Sequence, residues 1–369
     1  MASIRSLIHC FALAVLCGSH GVSAEAIADR LNTPAFMSSH AEQRLMLDIT
    51  AQGHQLVAVG DHGIVLRSTD QGQHWQQQAT PFSVMLTSIF STDQQHAWLT
   101  GHDGLLAVSH DGGVSWTPSL DGHQINQLRL QRLQANVSAL KARVDAEPEN
   151  ALLAEQLDDA AWYADDAAMA VEEGPSIPLL DVWFANRQRG FALGAYGLLL
   201  KTDDGGENWV YWGDRLENPD NFHLHAIRLD HRGYLYIAGE AGLLFRSVDG
   251  GERWTRIVTP YDGSFFSITE FQQQLFLMGL RGHLYRSEDG LDWQAVNTGD
   301  KATLLGAVVD AQKLLLLGQG GLLLQSSDGQ HFTRLDSGER RSMSAGVAVD
   351  GGYILAGEGG LLSVESEHE

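Results

Sequence analysis

The feature that most restricts the fold is a repeated frame: Gly-x-x-Gly, an apolar run, then Ser or Thr eight residues after the first glycine. It begins at Gly60, Gly101, Gly194, Gly239, Gly279 and Gly318. A seventh copy, from Gly357, keeps the glycines and the apolar run but ends on Glu365. The intervals are 41, 93, 45, 40, 39 and 39 residues, so five of the six lie near forty. Each unit has the same order: an apolar segment such as LTSIF, a polar turn, a strand such as AWLTG, the glycine turn, a strand such as LLAVS, and a last strand opened by Trp. Four short antiparallel strands in forty residues is the pattern of a propeller blade, and a lone blade cannot cover its own apolar faces. The expected fold is all-β, a seven-bladed β-propeller.

Between the third and fourth strands runs Ser-x-Asp-x-Gly-x-x-Trp. It is complete at Asp70 with Trp75, Asp111 with Trp116, Asp204 with Trp209 and Asp249 with Trp254. It is one residue shorter at Asp289 with Trp293, and at Asp328, where Phe332 replaces the Trp. The aspartate suits turn N–H groups, the glycine a positive φ, and the Trp the blade interior. One carboxylate per separate blade cannot converge on a reacting atom, so these residues read as structural. Blade seven stops after its third strand. Residues 25–38 are therefore expected to supply its outer strand and close the ring, because an open ring leaves an unpaired edge.

The long interval holds an insertion over residues 121–177, where the period changes. Leu130, Leu133, Val137, Leu140 and Val144, then Leu153, Leu157, Ala160, Ala164, Ala167 and Val171, follow helical spacing around the turn EPEN. This predicts an antiparallel helical hairpin with helices of about 20 to 24 residues. Its outer faces are expected to carry Arg129, Arg132, Lys141 and Arg143 on the first helix, and Glu155, Asp158, Asp159, Asp165, Asp166, Glu172 and Glu173 on the second. The resulting organisation is a leader at 1–24, the closing strand with blades one and two at 25–120, the hairpin at 121–177, and blades three to seven at 178–369.

The leader reading rests on Arg5, the apolar run LIHCFALAVLC and the small residues Val22-Ser23-Ala24, the pattern of a cleaved secretory signal. Both cysteines, Cys10 and Cys17, lie inside it, so an exported chain has no thiol chemistry. With 24 basic against 46 acidic residues the formal charge is −22, which disfavours nucleic acid and anionic lipid as partners.

In a propeller the glycine turns and the links between blades open on one end. That end is expected to carry His62, His102, Asp103, Tyr196, Glu240 and Arg281 from turns, and Pro81, Phe82, His223, Tyr261, Arg340 and Arg341 from links. With Arg129 and Arg132 of the arm they form the expected partner-binding surface. Asp103 and Glu240 fall in equivalent turns, which keeps a carboxylate pair for glycoside hydrolysis as the rival reading. His223-x-His225 is the one short-spaced histidine pair suggesting a metal, and strand alternation explains it as well; no catalytic, metal or cofactor residue is assigned.

The repeated Gly-x-x-Gly and Ser-x-Asp-x-Gly-x-x-Trp motifs after an export signal resemble the Asp-box (BNR) propellers, and specifically the photosystem II assembly and stability factor family. The resemblance covers about residues 40–120 and 178–366. It implies a non-catalytic scaffold that binds a membrane protein during assembly, here an exported bacterial member acting in the periplasm on an inner-membrane complex. Relatives encoded beside transporters of the RND type make such a transporter the implied partner. The long arm departs from the family pattern. Sialidases share Asp boxes, but their Phe/Tyr-Arg-Ile-Pro segment is absent, and Arg67, Arg246 and Arg286 sit at one end of third strands.

Overall fold

The computed structural model describes residues 29–336 and 338–365. The leader and the cysteines lie outside them. Among the described residues the chain is mostly β, with seven antiparallel sheets and two α-helices. Six sheets have four strands each and the last has three. Sheet one comprises Met46–Gln52, Gln55–Gly60, Val65–Ser68 and Gln76–Gln78, and the others repeat that meander. The second strand of a sheet, such as Ala97–Gly101 or Leu235–Gly239, is buried along its whole length. A neighbouring sheet covers each of its faces, so it reads as a continuous apolar run rather than an alternating one.

The core is divided into layers between successive sheets. Val57 and Val59 of sheet one meet Leu86 and Leu99 of sheet two. Between sheets two and three, Trp98 stacks on Phe184 at 3.7 Å. The series returns to its start: Ile354 and Ala356 of sheet seven pack with Met46, Ile49 and Leu56 of sheet one. First strands touch in the same cyclic order, including Met343–Val349 against Met46–Gln52.

Closure differs from expectation. Among the described residues no N-terminal strand pairs with the last strand, Gly360–Glu365, and sheet seven remains three-stranded. Residues 30–38 run instead beside the outer edge of sheet one. The Ser83 N–H donates to the Arg30 carbonyl at 2.8 Å, the Ala35 N–H to the Thr80 carbonyl at 3.1 Å, and the Ser38 N–H to Gln77 Oε1 at 2.8 Å. Among the described N-terminal residues the turn Ala41–Gln43 reaches the last strand, so close to Gly360 (φ +104°) that a Cβ there would overlap the Glu42 carbonyl. Direct packing of sheet seven on sheet one closes the ring without an added strand, while residues 30–38, bonded to Thr80, Ser83 and Gln77, leave the outer edge of Gly360–Glu365 without a strand partner among the described residues.

Each of the six boxes forms one hydrogen-bonded knot. In the first, Ser68 Oγ donates to Asp70 Oδ1 at 2.8 Å and accepts from the Gly72 N–H at 2.9 Å, while Asp70 Oδ1 accepts from the His74 N–H at 3.0 Å. Asp111, Asp204, Asp249, Asp289 and Asp328 are occupied in the same way by their own turns. These hydrogen bonds hold the pKa of Asp70 down to about 2, and the Arg253 guanidinium together with the Arg253 N–H does the same for Asp249.

The insertion folds as α1 (Gly122–Ala146) and α2 (Ala151–Glu173), with Glu147 to Asn150 as the turn. Asp121 and Gln124 form a capping box at the start of α1, and Asn150 caps α2. All the predicted seam positions are buried or partly buried, with Leu133, Leu153, Ala164 and Ala167 deepest.

Candidate functional site

The glycine turns gather on one end of the ring. In five of them the residue before the last glycine is left-handed without being glycine: His62, Asp103, Tyr196, Ala241 and Arg281, with φ between 51° and 57°. Such positions cost of order 1 kcal/mol each.

The structure separates the expected surface residues. Arg30 holds Asp103 with two hydrogen bonds of 2.8 and 3.0 Å. His62 is exposed and pairs with Asp61, and His102 is half-buried. Glu240 Oε2 accepts from the His223 N–H at 3.2 Å and lies 3.4 Å from His223 Nδ1. Arg281 and Arg340 are exposed, while Arg341 pairs with Glu339 at 2.8 Å. Phe82 is not a surface residue: it is fully buried between sheets one and two.

Tyr196 is 58% exposed and meets His223 edge-on at 5.0 Å. The His223 ring lies 6.3 Å from His225, which stacks on Phe266 at 5.3 Å. A continuous aromatic and histidine ridge therefore runs across sheets three to five. It ends in a cavity of about 380 Å³ lined by the first strands of all seven sheets. The lining follows from a shared irregularity, because every first strand has a register shift at its second residue: Leu47, Thr87, Leu180, His225, Phe266, Leu305 and Ser344. A bulge re-aims its side chain, and here every re-aimed residue lines the cavity. Several of them also link one sheet to the next. Thr87 Oγ1 donates to the Leu179 carbonyl at 2.7 Å, Ser344 Oγ to the Leu47 carbonyl at 2.9 Å, and His225 Nδ1 lies 2.7 Å from the Phe265 carbonyl. Burial lowers the His225 pKa, so the ring is neutral near pH 7.

Deeper in the cavity is a polar cluster that sequence reasoning missed. Ser88 Oγ lies 2.8 Å from Asp48 Oδ2 and 2.9 Å from Asp181 Oδ1. Asp181 also accepts from Arg228 Nη1 at 2.7 Å and from the Ile227 and Val182 N–H groups, each at 2.9 Å. A hydroxyl carries one hydrogen, so a proton on Asp48 satisfies both contacts. Burial pushes Asp48 up to about 6, against the hydrogen bond from the Ile89 N–H and with the help of the Asp181 charge.

The arm is docked rather than free. Arg129 was expected on an outer face, but it is buried between the helices and bonds to Asp166 at 2.7 Å. Arg132 and Asn136 both donate to Asp214 Oδ2, at 2.7 and 3.1 Å, and Tyr163 donates to the Pro219 carbonyl at 3.0 Å. Arg129 ties the two helices together and Arg132 anchors the arm: Tyr211 of sheet three and the 213–221 link offer it a surface, and an arginine can cover apolar area while its guanidinium pairs. A cleft of about 580 Å³ remains between arm and link.

A family model described as "Photosynthesis system II assembly factor YCF48" matches residues 156–345. The chain belongs to this family. Solved structures agree with the YCF48 fold. "YCF48 bound to D1 peptide" superposes with TM-score 0.62 at 14% identity, covering 91% of this chain and 100% of that one. YCF48 from Cyanidioschyzon merolae gives 0.60 at 15% identity, with 88% and 96% covered. The WD40 β-propeller domain of Doa1 gives 0.58 at 10%, with 92% and 97% covered. No curated protein matches the sequence.

Within the YCF48 frame, the ridge offers aromatic faces and imidazole hydrogen-bonding groups. Asp103 and Glu240 are each engaged, by Arg30 and His223. Among the described residues, no group of three or more His, Cys, Asp or Glu side chains is placed to hold a metal ion, and no helix is long and apolar enough to cross a membrane. His225 and Phe266 had a sequence signal: each is the second residue of its unit's first strand, at the bulge. Aligning the seven first strands exposes it.

Proposed function

We propose that this protein is a non-catalytic binding factor for a membrane protein, a closed seven-bladed propeller that holds an extended segment of its client at the mouth of the central cavity. The observation that carries the reading is the ridge from exposed Tyr196 through His223 and His225 to Phe266. Rigid aromatic groups beside hydrogen-bonding ones suit a peptide backbone and its side chains. A relative of the same fold is solved bound to a D1 peptide, which supports peptide binding as the mode. The leader pattern extends the proposal to export and a periplasmic site of action. The sequence resemblance makes an inner-membrane complex the client, with an RND-type transporter as the specific candidate. Hydrolysis is the weaker reading, since the two carboxylates it needs are tied to separate partners.

Periplasmic cross-linking followed by pull-down tests this. Tyr196→Ala removes an exposed group, so the fold should survive while client recovery falls about tenfold, as for an interface anchor. Recovery equal to that of the unmodified protein, or turnover of sialosides or β-glucans by the purified chain, refutes the reading.

A further inference from the structure

α2 has no lysine or arginine but seven carboxylates: Glu155, Asp158, Asp159, Asp165, Asp166, Glu172 and Glu173. Among the described residues only Asp166 is ion-paired, with Arg129. The spacing places six of the seven in two rows. Asp158, Asp165 and Glu172 recur every seven residues, as do Asp159, Asp166 and Glu173, so each set forms a row along the helix. Between the rows, at the same interval, stand Trp162 and Met169, each 61% exposed, with Leu152 63% exposed near the helix start. Trp162 is braced edge-on by Tyr163 at 5.1 Å.

This face is costly in isolation. Glu155 stands three and four residues from Asp158 and Asp159, a like-charge spacing that destabilises a helix, the rows add negative charge along the same side, and large apolar groups left in water contribute no burial energy. A partner with two cationic rows flanking an apolar line would relieve both costs. Anionic lipid and nucleic acid have the wrong charge. A second copy offers little, because two of the four cations on its α1, Arg129 and Arg132, are already bonded to Asp166 and Asp214. We propose that the outer face of α2 docks a Lys/Arg-rich amphipathic helix of a partner protein, its apolar side on Trp162 and Met169. From Leu152 to Glu173 the face is roughly 30 Å long at 1.5 Å per residue, which matches a partner helix of about five to six turns. The surface is separate from the ridge and does not depend on which client the ridge holds.

The probe is a labelled 20-residue amphipathic helix of Leu and Lys, with a Leu/Glu peptide of the same pattern and a scrambled Leu/Lys peptide as controls, read by fluorescence anisotropy with the full chain. The patterned cationic peptide should bind best, more weakly as salt rises. Trp162→Ala with Met169→Ala should weaken it about tenfold with the net charge unchanged. Neutralising Asp158, Asp165 and Glu172 as Asn, Asn and Gln should do the same. Neutralising the exposed Glu207, Glu288 and Asp292, which changes the charge equally, should alter affinity less than about twofold. All the substituted groups are exposed, so circular dichroism should confirm unchanged folding. Equal weakening by both neutralised sets means bulk charge alone and overturns the proposal. So does indifference to the Trp162 and Met169 changes, a preference for the scrambled peptide, or self-association of the chain through α2.

Discussion

Asp48→Asn gives the most informative test of the cavity cluster. Asp48 stands at about 6 against an ordinary 3.8, chiefly because it is buried. The folded protein therefore binds more protons than the unfolded chain between those values, and the stability contributed by this group falls as pH rises through that window. A shift of this size corresponds to a penalty of about 1 kcal/mol at pH 4.5 and about 3 kcal/mol at pH 7.5, from roughly 1.4 kcal/mol per pKa unit. Asp48 is half-buried at the cavity wall, so solvent screening trims the difference between the two pH values to about 1–2 kcal/mol. Asparagine carries no charge and escapes the penalty, but it cannot accept at both ends. Asp48 takes the Ile49 N–H on Oδ1 at 2.8 Å and the Ile89 N–H on Oδ2 at 2.9 Å, and losing one of these costs about 1–2 kcal/mol at any pH. The variant should therefore be less stable than the parent at pH 4.5 and close to it, or better, at pH 7.5. Urea denaturation of both proteins at both pH values, followed by tryptophan fluorescence, measures this. Because groups elsewhere titrate equally in the two proteins, only the change in their stability difference matters. A difference that stays constant within about 0.5 kcal/mol would refute the assignment of the proton to Asp48.

Two further outcomes follow from the arm. Arg132→Ala removes its bond to Asp214 and should cost about 1–2 kcal/mol, with faster amide hydrogen exchange in α1 and the 213–221 link and little change in the sheets. Replacing residues 123–175 by a short Gly/Ser linker is geometrically easy because Gly122 lies against Pro175, yet it removes Ile125, which is 1% exposed in the core between sheets two and three. Thermal melting should show a loss comparable to Ile125→Ala, about 2–4 kcal/mol, and a linker that keeps Ile125 should recover most of it; equal melting of the two linker variants would show that the arm's base is not part of that core.

The repeat, the strand order, the boxes and the helical hairpin were legible in the sequence because each rests on local chemistry. A Ser-x-Asp-x-Gly turn is satisfied by its own backbone, and the seam of α1 and α2 declares itself by spacing within some fifty residues. What only the tertiary structure decided involves groups far apart in the chain. Ser88 meets both Asp48 and Asp181 because three first strands crowd around one axis, and His225 reaches Phe266 because two bulges turn toward the same cavity. The N-terminal segment lies on sheet one rather than completing sheet seven because its hydrogen bonds go to Thr80, Ser83 and Gln77, and the ring closes by direct packing of sheet seven on sheet one. Arg129 and Arg132 look like surface charges in a helical pattern; Arg129 was enclosed between the two helices on Asp166, and Arg132 became an anchor because the arm folded onto sheet three and the link that follows it, a neighbour that no local period can specify.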